Sequence, residues 1–168
     1  MAKTKTITKA NKAKLNKVAQ TLQAFTASTA ATAASSSAPV VSITDIYTIG
    51  NSGNQITFSL VFKTKGVGAL TDAVLHNVTS PDKPIVTGGK DSLLNIPLGI
   101  DTSLNGIFLK INSVVAATNL TTPLPAALDV DFSLMGGQVT KNFPLPDRQF
   151  EKVGDSFILD FTIIIFQS

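Results

Sequence analysis

The chain has 168 residues, of which 43% are hydrophobic and 15% charged, and its formal net charge is +3. This length and composition predict one folded domain with a well-supplied core, plus an appendage. The chain has no cysteine and one histidine, which excludes disulfides, thiol catalysis and metal sites built from several thiolate or imidazole ligands.

Positive charge is concentrated at the start of the chain. Six lysines lie in the first 17 residues, at Lys3, Lys5, Lys9, Lys12, Lys14 and Lys17. The first acidic residue is Asp45, and the rest of the chain sets eight basic residues against all eleven acids, a net charge of −3. A basic segment on an acidic body is typical of an interaction arm. Its partner would be nucleic acid, an anionic membrane or the acidic face of a neighbouring copy.

Residues 1–8 alternate lysine and threonine and are predicted to be extended. Residues 9–25 are predicted to form a helix, because the spacing of their apolar residues places a stripe on one face. The stripe consists of Leu15, Val18, Leu22 and Phe25. A helix of this length is marginal alone, so we expect the stripe to pack on a surface, either of its own body or of a neighbouring subunit.

The stretch "TASTAATAASSSA" (26–38) is a low-complexity linker of small residues. We therefore divide the chain into residues 1–38, which hold the basic arm, the helix and the linker, and residues 39–168, which form the body.

The body carries only β signals, with β-branched or alternating stretches between glycine-rich turns. Strands are predicted at 40–49, 55–62, 72–79, 83–89, 92–100, 105–115, 128–134, 138–145 and 156–166. The expected fold is all-β, an antiparallel β-sandwich or jelly-roll of about eight strands. The stretch "KGVGAL" (65–70) is interpreted as a hairpin turn. No apolar run reaches 18 residues, so no transmembrane segment is expected.

The last strand, "SFILDFTIIIF", is apolar on both faces, and a strand of this kind is buried on both sides. It is expected either as a central strand of the sandwich or as a strand covered by another subunit or by the arm. We therefore predict that Ile163, Ile164 and Ile165 take part in a subunit interface.

Residues suited to catalysis are few. His76 lies within a strand and is interpreted as structural, and no nucleophile elbow or phosphate-binding glycine loop occurs. Asp129 and Asp131 share one strand face, and Asp160 would join them if the two strands pair. Three carboxylates are suited to calcium, but a solvated strand face is the favoured interpretation. We expect no enzyme activity, no cofactor, no bound metal and no small-molecule substrate.

The six lysines are suited to phosphate contacts, because each releases counterions on binding without reading sequence. An arm that bridges subunits is an alternative of equal weight to phosphate binding, and a tail that only solubilises the protein is the third interpretation.

The layout of basic arm, small-residue linker and β domain resembles that of the jelly-roll coat proteins of small icosahedral viruses and phages. The resemblance is architectural, covers the whole chain and rests on no residue motif. It implies a self-assembling virion shell subunit whose partners are copies of itself, with the arm directed inward. The arm uses lysine only, which favours assembly over genome contact as its first role. The alternative is a subunit of an extracellular or cell-surface filament joined by strand complementation.

Overall fold

The computed structural model describes residues 38–120 and 123–168, and these residues form an all-β fold. Within this part of the chain, the helical structure consists of one 3₁₀ turn at Asp101–Ser103. The prediction of an all-β body is thereby confirmed. The expected extended segment 1–8, helix 9–25 and linker to residue 37 lie outside the described residues and stay predictions.

The described residues form eleven strands, numbered β1 to β11 in chain order, and eight of these have six residues or more. The strands are β1 (Val40–Ile49), β2 (Gln55–Phe62), β3 (Val67–Asn77), β4 (Ser80–Lys90), β5 (Leu93–Ile100), β6 (Ile107–Ala117), β7 (Ala126–Ala127), β8 (Val130–Met135), β9 (Lys141–Phe143), β10 (Gln149–Phe150) and β11 (Ser156–Gln167).

Two sheets form the body. The five-stranded sheet has the order β1-β11-β6-β3-β4 and the four-stranded sheet the order β5-β2-β8-β9, while β7 and β10 make a small separate pair. All pairs are antiparallel except β1 with β11, which is parallel, so the expectation of a purely antiparallel sandwich is wrong at this position. No hairpin forces β1 and β11 to run in opposite directions, because nearly the whole domain separates them along the chain.

The stretch 65–70 is not a hairpin turn, contrary to the sequence interpretation. It connects β2, in the four-stranded sheet, to β3, in the five-stranded sheet, so the chain crosses between layers here. One of the two glycines of this stretch, Gly66, has a specific role in this crossing. Gly66 adopts a φ of +80°, and its carbonyl accepts hydrogen bonds from the N–H groups of Thr118 and Asn119 at 3.0 and 2.9 Å.

The core lies between the two sheets and follows the alternation of the strands. In β2 the buried side chains include Ile56, Phe58 and Leu60, as the period of two predicts. In β8, Phe132 is only 1% exposed, and its ring centroid lies 4.8 Å from that of Phe143 and 4.5 Å from that of Phe161. Because Phe161 belongs to β11, this aromatic cluster joins the two sheets.

The final strand is a central strand, between β1 and β6. Its inner face is fully apolar and consists of Phe157, Leu159, Phe161, Ile163 and Ile165, all buried. Its outer face is mixed, with Asp160, Thr162 and Ile164 among its residues. The strand is therefore apolar on its inner face and mixed on its outer face, and its central position follows from its pairing with β1 and β6.

One side of the sandwich is closed by contacts between β1 and the chain around β9. The Gly137 N–H donates to the buried Tyr47 hydroxyl at 2.8 Å, and the Gln138 N–H donates to the Thr48 carbonyl at 3.3 Å. Lys141 Nζ lies 2.8 Å from Asp45 Oδ1 and donates to the Ile46 carbonyl at 2.8 Å.

These contacts change the titration of Asp45. Burial raises the pKa of Asp45, but the hydrogen bonds from Lys141 and the Ile46 N–H outweigh it and hold the pKa below its ordinary value of 3.8. We refer to the contacts of Asp45, Ile46 and Lys141 as the Asp45 clamp.

Asp101 organises the turn between β1 and β2. It is buried, and its two carboxylate oxygens accept hydrogen bonds from the N–H groups of Ser52 at 3.0 Å and Gly53 at 2.9 Å. The bond from Ser52 is the main reason that the pKa of Asp101 lies below its ordinary value of 3.8, against the opposing effect of burial.

We predict that Asp101→Asn lowers the thermal midpoint at pH 7, because an amide NH₂ would replace one acceptor and face a backbone N–H. A folded-state pKa below the unfolded value stabilises the protein above the unfolded pKa, and this stabilisation is lost as the pH falls through the folded pKa. The deficit of the variant should therefore shrink well below pH 3.8. Thermal unfolding followed by circular dichroism, at pH 7 and at a pH well below 3.8, measures this difference.

Asp147→Asn, at an exposed position, is the control. A deficit for Asp101→Asn that does not depend on pH would contradict the assignment.

Candidate functional site

The predicted arm residues lie outside the described part of the chain. These are the six lysines, Lys3, Lys5, Lys9, Lys12, Lys14 and Lys17, and the apolar stripe, Leu15, Val18, Leu22 and Phe25. Their proposed roles in polyanion binding and in subunit contacts stay predictions.

The three isoleucines near the C-terminus divide between the two faces of the five-stranded sheet. Ile163 and Ile165 are fully buried in the core between the sheets, whereas Ile164 lies on the outer face and is 8% exposed. A subunit contact made through the outer face of this sheet would therefore involve Ile164, and its two neighbours would support it from beneath. The interface role of these residues stays a prediction.

The three aspartates considered for calcium are not brought together. Asp129 and Asp131 flank the ammonium of Lys63, whose Nζ lies 2.7 Å from Asp131 and 4.0 Å from Asp129. The hydrogen bond to Asp131 is the main reason that the pKa of Lys63 lies above its ordinary value of 10.5. Asp160 belongs to the other sheet. Within residues 38–120 and 123–168, no cluster of three potential metal ligands exists.

Asp160 instead lies on the outer face of the five-stranded sheet, near Lys110 of the neighbouring strand β6. Burial raises the pKa of Asp160 and lowers that of Lys110, and the opposite charge of each residue partly offsets the effect on the other. The middle of this face is thus polar and partly buried.

His76, interpreted from the sequence as structural, contacts residues of two neighbouring strands. It lies in β3, with Nδ1 2.5 Å from Asp82 Oδ1 of the adjacent strand, and its ring contacts that of Phe108 edge-on, with centroids 6.0 Å apart. These contacts join β3 to β4 and β6.

One end of the same outer face carries an apolar row that the sequence analysis did not identify. The strand registers place Val40 beside Ile158, Ile158 beside Val114, and Val114 beside Leu70. Val40, Val114 and Leu70 are 38%, 43% and 50% exposed. We call these four residues the apolar row. A contiguous row across four strands differs from the scattered exposed side chains of an ordinary surface and suits a partner.

The row ends at β1, which is an edge strand of the five-stranded sheet among the described residues. The carbonyls of Pro39 and Ile49 face β11, since they accept hydrogen bonds from the N–H groups of Ile158 and Ser168. Because backbone groups alternate along a strand, the even-numbered residues of β1 direct their N–H and C=O groups away from β11. The outward N–H and carbonyl of Ile46 are engaged by the Asp45 clamp, and the outward carbonyl of Thr48 accepts from the Gln138 N–H.

The outward groups of Val40, Ser42 and Thr44 form the remaining part of this edge. Among the described residues, no hydrogen bond to these backbone groups occurs from the free side. We call Val40–Thr44 the β1 edge. The sequence predicted the strand at 40–49, but an edge position depends on the strand order of the whole sheet.

A scan against protein-family models finds no match for this chain, and searches of curated proteins and of solved structures find none either. In the described residues, no helix has the length and apolar character needed to cross a membrane.

Proposed function

We propose that this protein is a structural, self-assembling subunit of a virion shell, in which the N-terminal arm bridges subunits and contacts nucleic acid as a second role. In this proposal the body is a jelly-roll form of the sandwich. Most connections between long strands pass from one sheet to the other, as they do in Greek-key sandwiches, and this supports the jelly-roll.

The observation that carries the proposal is that the chain joins a basic N-terminal segment to an acidic body, and that this body has its own core. The described strands supply a hydrophobic cluster that runs from Val41 to Ile165. The body carries a net charge of −3, whereas residues 1–17 add six lysines and no acid. A basic segment attached to a domain with its own core is suited to an acidic or polyanionic partner, including a neighbouring body.

The surface of the body supports assembly independently of the arm. The apolar row and the β1 edge adjoin each other, since Val40 belongs to both. An apolar surface next to backbone groups that have no hydrogen-bond partner in residues 38–120 and 123–168 is the combination that a neighbouring protein chain would cover.

A filament subunit is the second candidate, and the β1 edge is the observation that favours it. Strand complementation adds an extended segment of one subunit to an exposed sheet edge of the next. The shell and filament proposals share the assembly step and differ in the symmetry of the contact, because closed symmetry gives shells or rings and open symmetry gives fibres.

Deletion of residues 1–25 tests the role of the arm. We expect the body to fold with an unchanged far-UV circular dichroism spectrum of β type, and assembly to fall to the level of small oligomers in sedimentation velocity. The reason is that the deletion removes both the lysines and the apolar stripe, while the core begins at Val41. Unchanged assembly after the deletion would show that residues 1–25 do not join subunits.

Two matched variants of the full chain separate the two roles of the arm. Changing the six lysines to glutamine should abolish salt-sensitive binding to nucleic acid and leave the stripe intact. Changing Leu15, Val18, Leu22 and Phe25 to serine should weaken assembly and leave the charge intact. Loss of assembly in the first variant alone would show that the charges, and not the stripe, join the subunits.

A further inference from the structure

The four edge strands of the two sheets differ in how well they are protected against pairing with another chain. Natural sheets protect their edges with proline, lysine, bulges or very short strands. Strand β4 contains Pro81, Lys83 and Pro84. Strand β5 is interrupted by Asn95, with a φ of +52°, and by Pro97. Strand β9 has three residues.

Strand β1 has none of these devices between Val40 and Thr44. Its sequence there is "VVSIT", which is uncharged and rich in β-branched residues, and its pairing with β11 is regular along the whole strand. The Asp45 clamp then ends the free portion at Ile46. Within the part of the chain that the structure describes, the β1 edge is therefore a short, regularly paired strand segment without a protecting device and with a defined end.

The sequence of the β1 edge is complementary to itself in the antiparallel direction. If Ser42 lies on a two-fold axis, Ser42 faces Ser42, Val40 faces Thr44, and Val41 faces Ile43 of the other copy. No charged residue faces another, and β-branched residues form the flanking pairs. Because the outward groups belong to the even-numbered residues, every outward N–H and C=O of Val40, Ser42 and Thr44 finds a partner in this register.

We propose that the β1 edge is a homodimer contact, in which β1 of one copy pairs antiparallel with β1 of a second copy about a two-fold axis at Ser42. The two five-stranded sheets then become one continuous sheet, in which Val40, at the end of each apolar row, lies beside Thr44 of the other copy. This inference rests on the proposed function, since it names the contact by which the subunits begin to assemble. An isologous contact of this kind is the commonest interface of homo-oligomers.

A disulfide tests the register directly, since the chain has no cysteine of its own. In a hydrogen-bonded antiparallel pair the facing Cα atoms lie about 5.5 Å apart, within the range of up to about 6.8 Å that a disulfide spans. Oxidised Ser42→Cys protein should therefore run mainly as a covalent dimer on a non-reducing gel. Thr44→Cys is the register control. The two cysteines at position 44 would lie about 14 Å apart across the axis, so this variant should run as a monomer on the same gel.

A charge substitution tests the energetics of the same contact. Ser42→Lys places two ammonium groups opposite each other across the axis, and we expect association measured by sedimentation equilibrium to weaken roughly tenfold or more. Thr87→Lys, an exposed position on the protected edge strand β4, adds the same charge and should leave association unchanged. Equal thermal midpoints for both variants would show that the fold is intact.

The outcomes separate this inference from the proposed function. Covalent linkage of Ser42→Cys without linkage of Thr44→Cys supports the two-fold register, whereas linkage of both variants or of neither overturns it. If Ser42→Lys weakens association but Ser42→Cys does not link, the β1 edge receives a different segment of a neighbouring chain and the homodimer contact is wrong. If the wild-type chain assembles and Ser42→Lys assembles equally well, only this inference fails. A wild-type chain that stays monomeric overturns the proposed function as well.

Discussion

Phe132→Ala is expected to lower the free energy of unfolding by about 3–5 kcal/mol. The side chain is 1% exposed, and its ring contacts those of Phe143 in its own sheet and Phe161 in the opposite sheet. Removing the ring leaves a cavity between two layers, and rigid strands on both sides allow little collapse into it. The loss therefore includes both the transfer free energy of the ring and the contacts of its neighbours.

Urea denaturation followed by circular dichroism measures this loss as a lower midpoint concentration of urea, with an unchanged slope of the free energy of unfolding against urea concentration. Phe166→Ala is the matched control, because Phe166 is 44% exposed on the outer face of β11. We expect the control to lose about 1 kcal/mol or less. Similar losses for the two variants would mean that Phe132 does not join the sheets.

Gly66→Ala is expected to destabilise the body by about 2–5 kcal/mol. Gly66 has a φ of +80°, and a Cβ at this position would lie 1.8 Å from the backbone oxygen of Asn119. Backbone atoms cannot move aside as a flexible side chain can. The Gly66 carbonyl also accepts from Thr118 and Asn119, so any shift of the loop weakens these bonds.

Gly106→Ala separates the effect of the backbone conformation from that of the contact. Gly106 has a similar φ of +77°, but nothing lies within 4 Å of a Cβ built there. We expect this control to cost about 1 kcal/mol, the strain of a left-handed alanine. The difference between the two variants in urea denaturation measures the contact with Asn119. Equal losses would show that the crossing between the sheets is looser than the structure describes.

Local patterns were sufficient to predict most strands. A period of two over the predicted strands 55–62 and 128–134 places Ile56, Phe58 and Phe132 inward and Asp129 and Asp131 outward, and the structure has the same arrangement. These predictions succeed because the period of two acts within one strand and needs no knowledge of its partner.

Pairing between distant strands was not predictable in the same way. The parallel pairing of β1 with β11 and the crossing at residues 65–70 depend on which strands become neighbours, and short sequence windows do not contain this information. The position of Lys63 between Asp129 and Asp131 was not predictable either, because it depends on the pairing that brings the end of β2 beside the start of β8. The β1 edge and the apolar row became visible only with the strand order.

Negative-stain electron microscopy of the purified full chain, with its absorbance ratio recorded before and after nuclease treatment, tests the central claim most directly. The proposal predicts closed shells of uniform size, together with nuclease-sensitive absorbance if the arm also holds nucleic acid. Helical filaments would support the second candidate. A monodisperse monomer at all protein concentrations, from which a protease removes residues 1–37 without further effect, would contradict self-assembly.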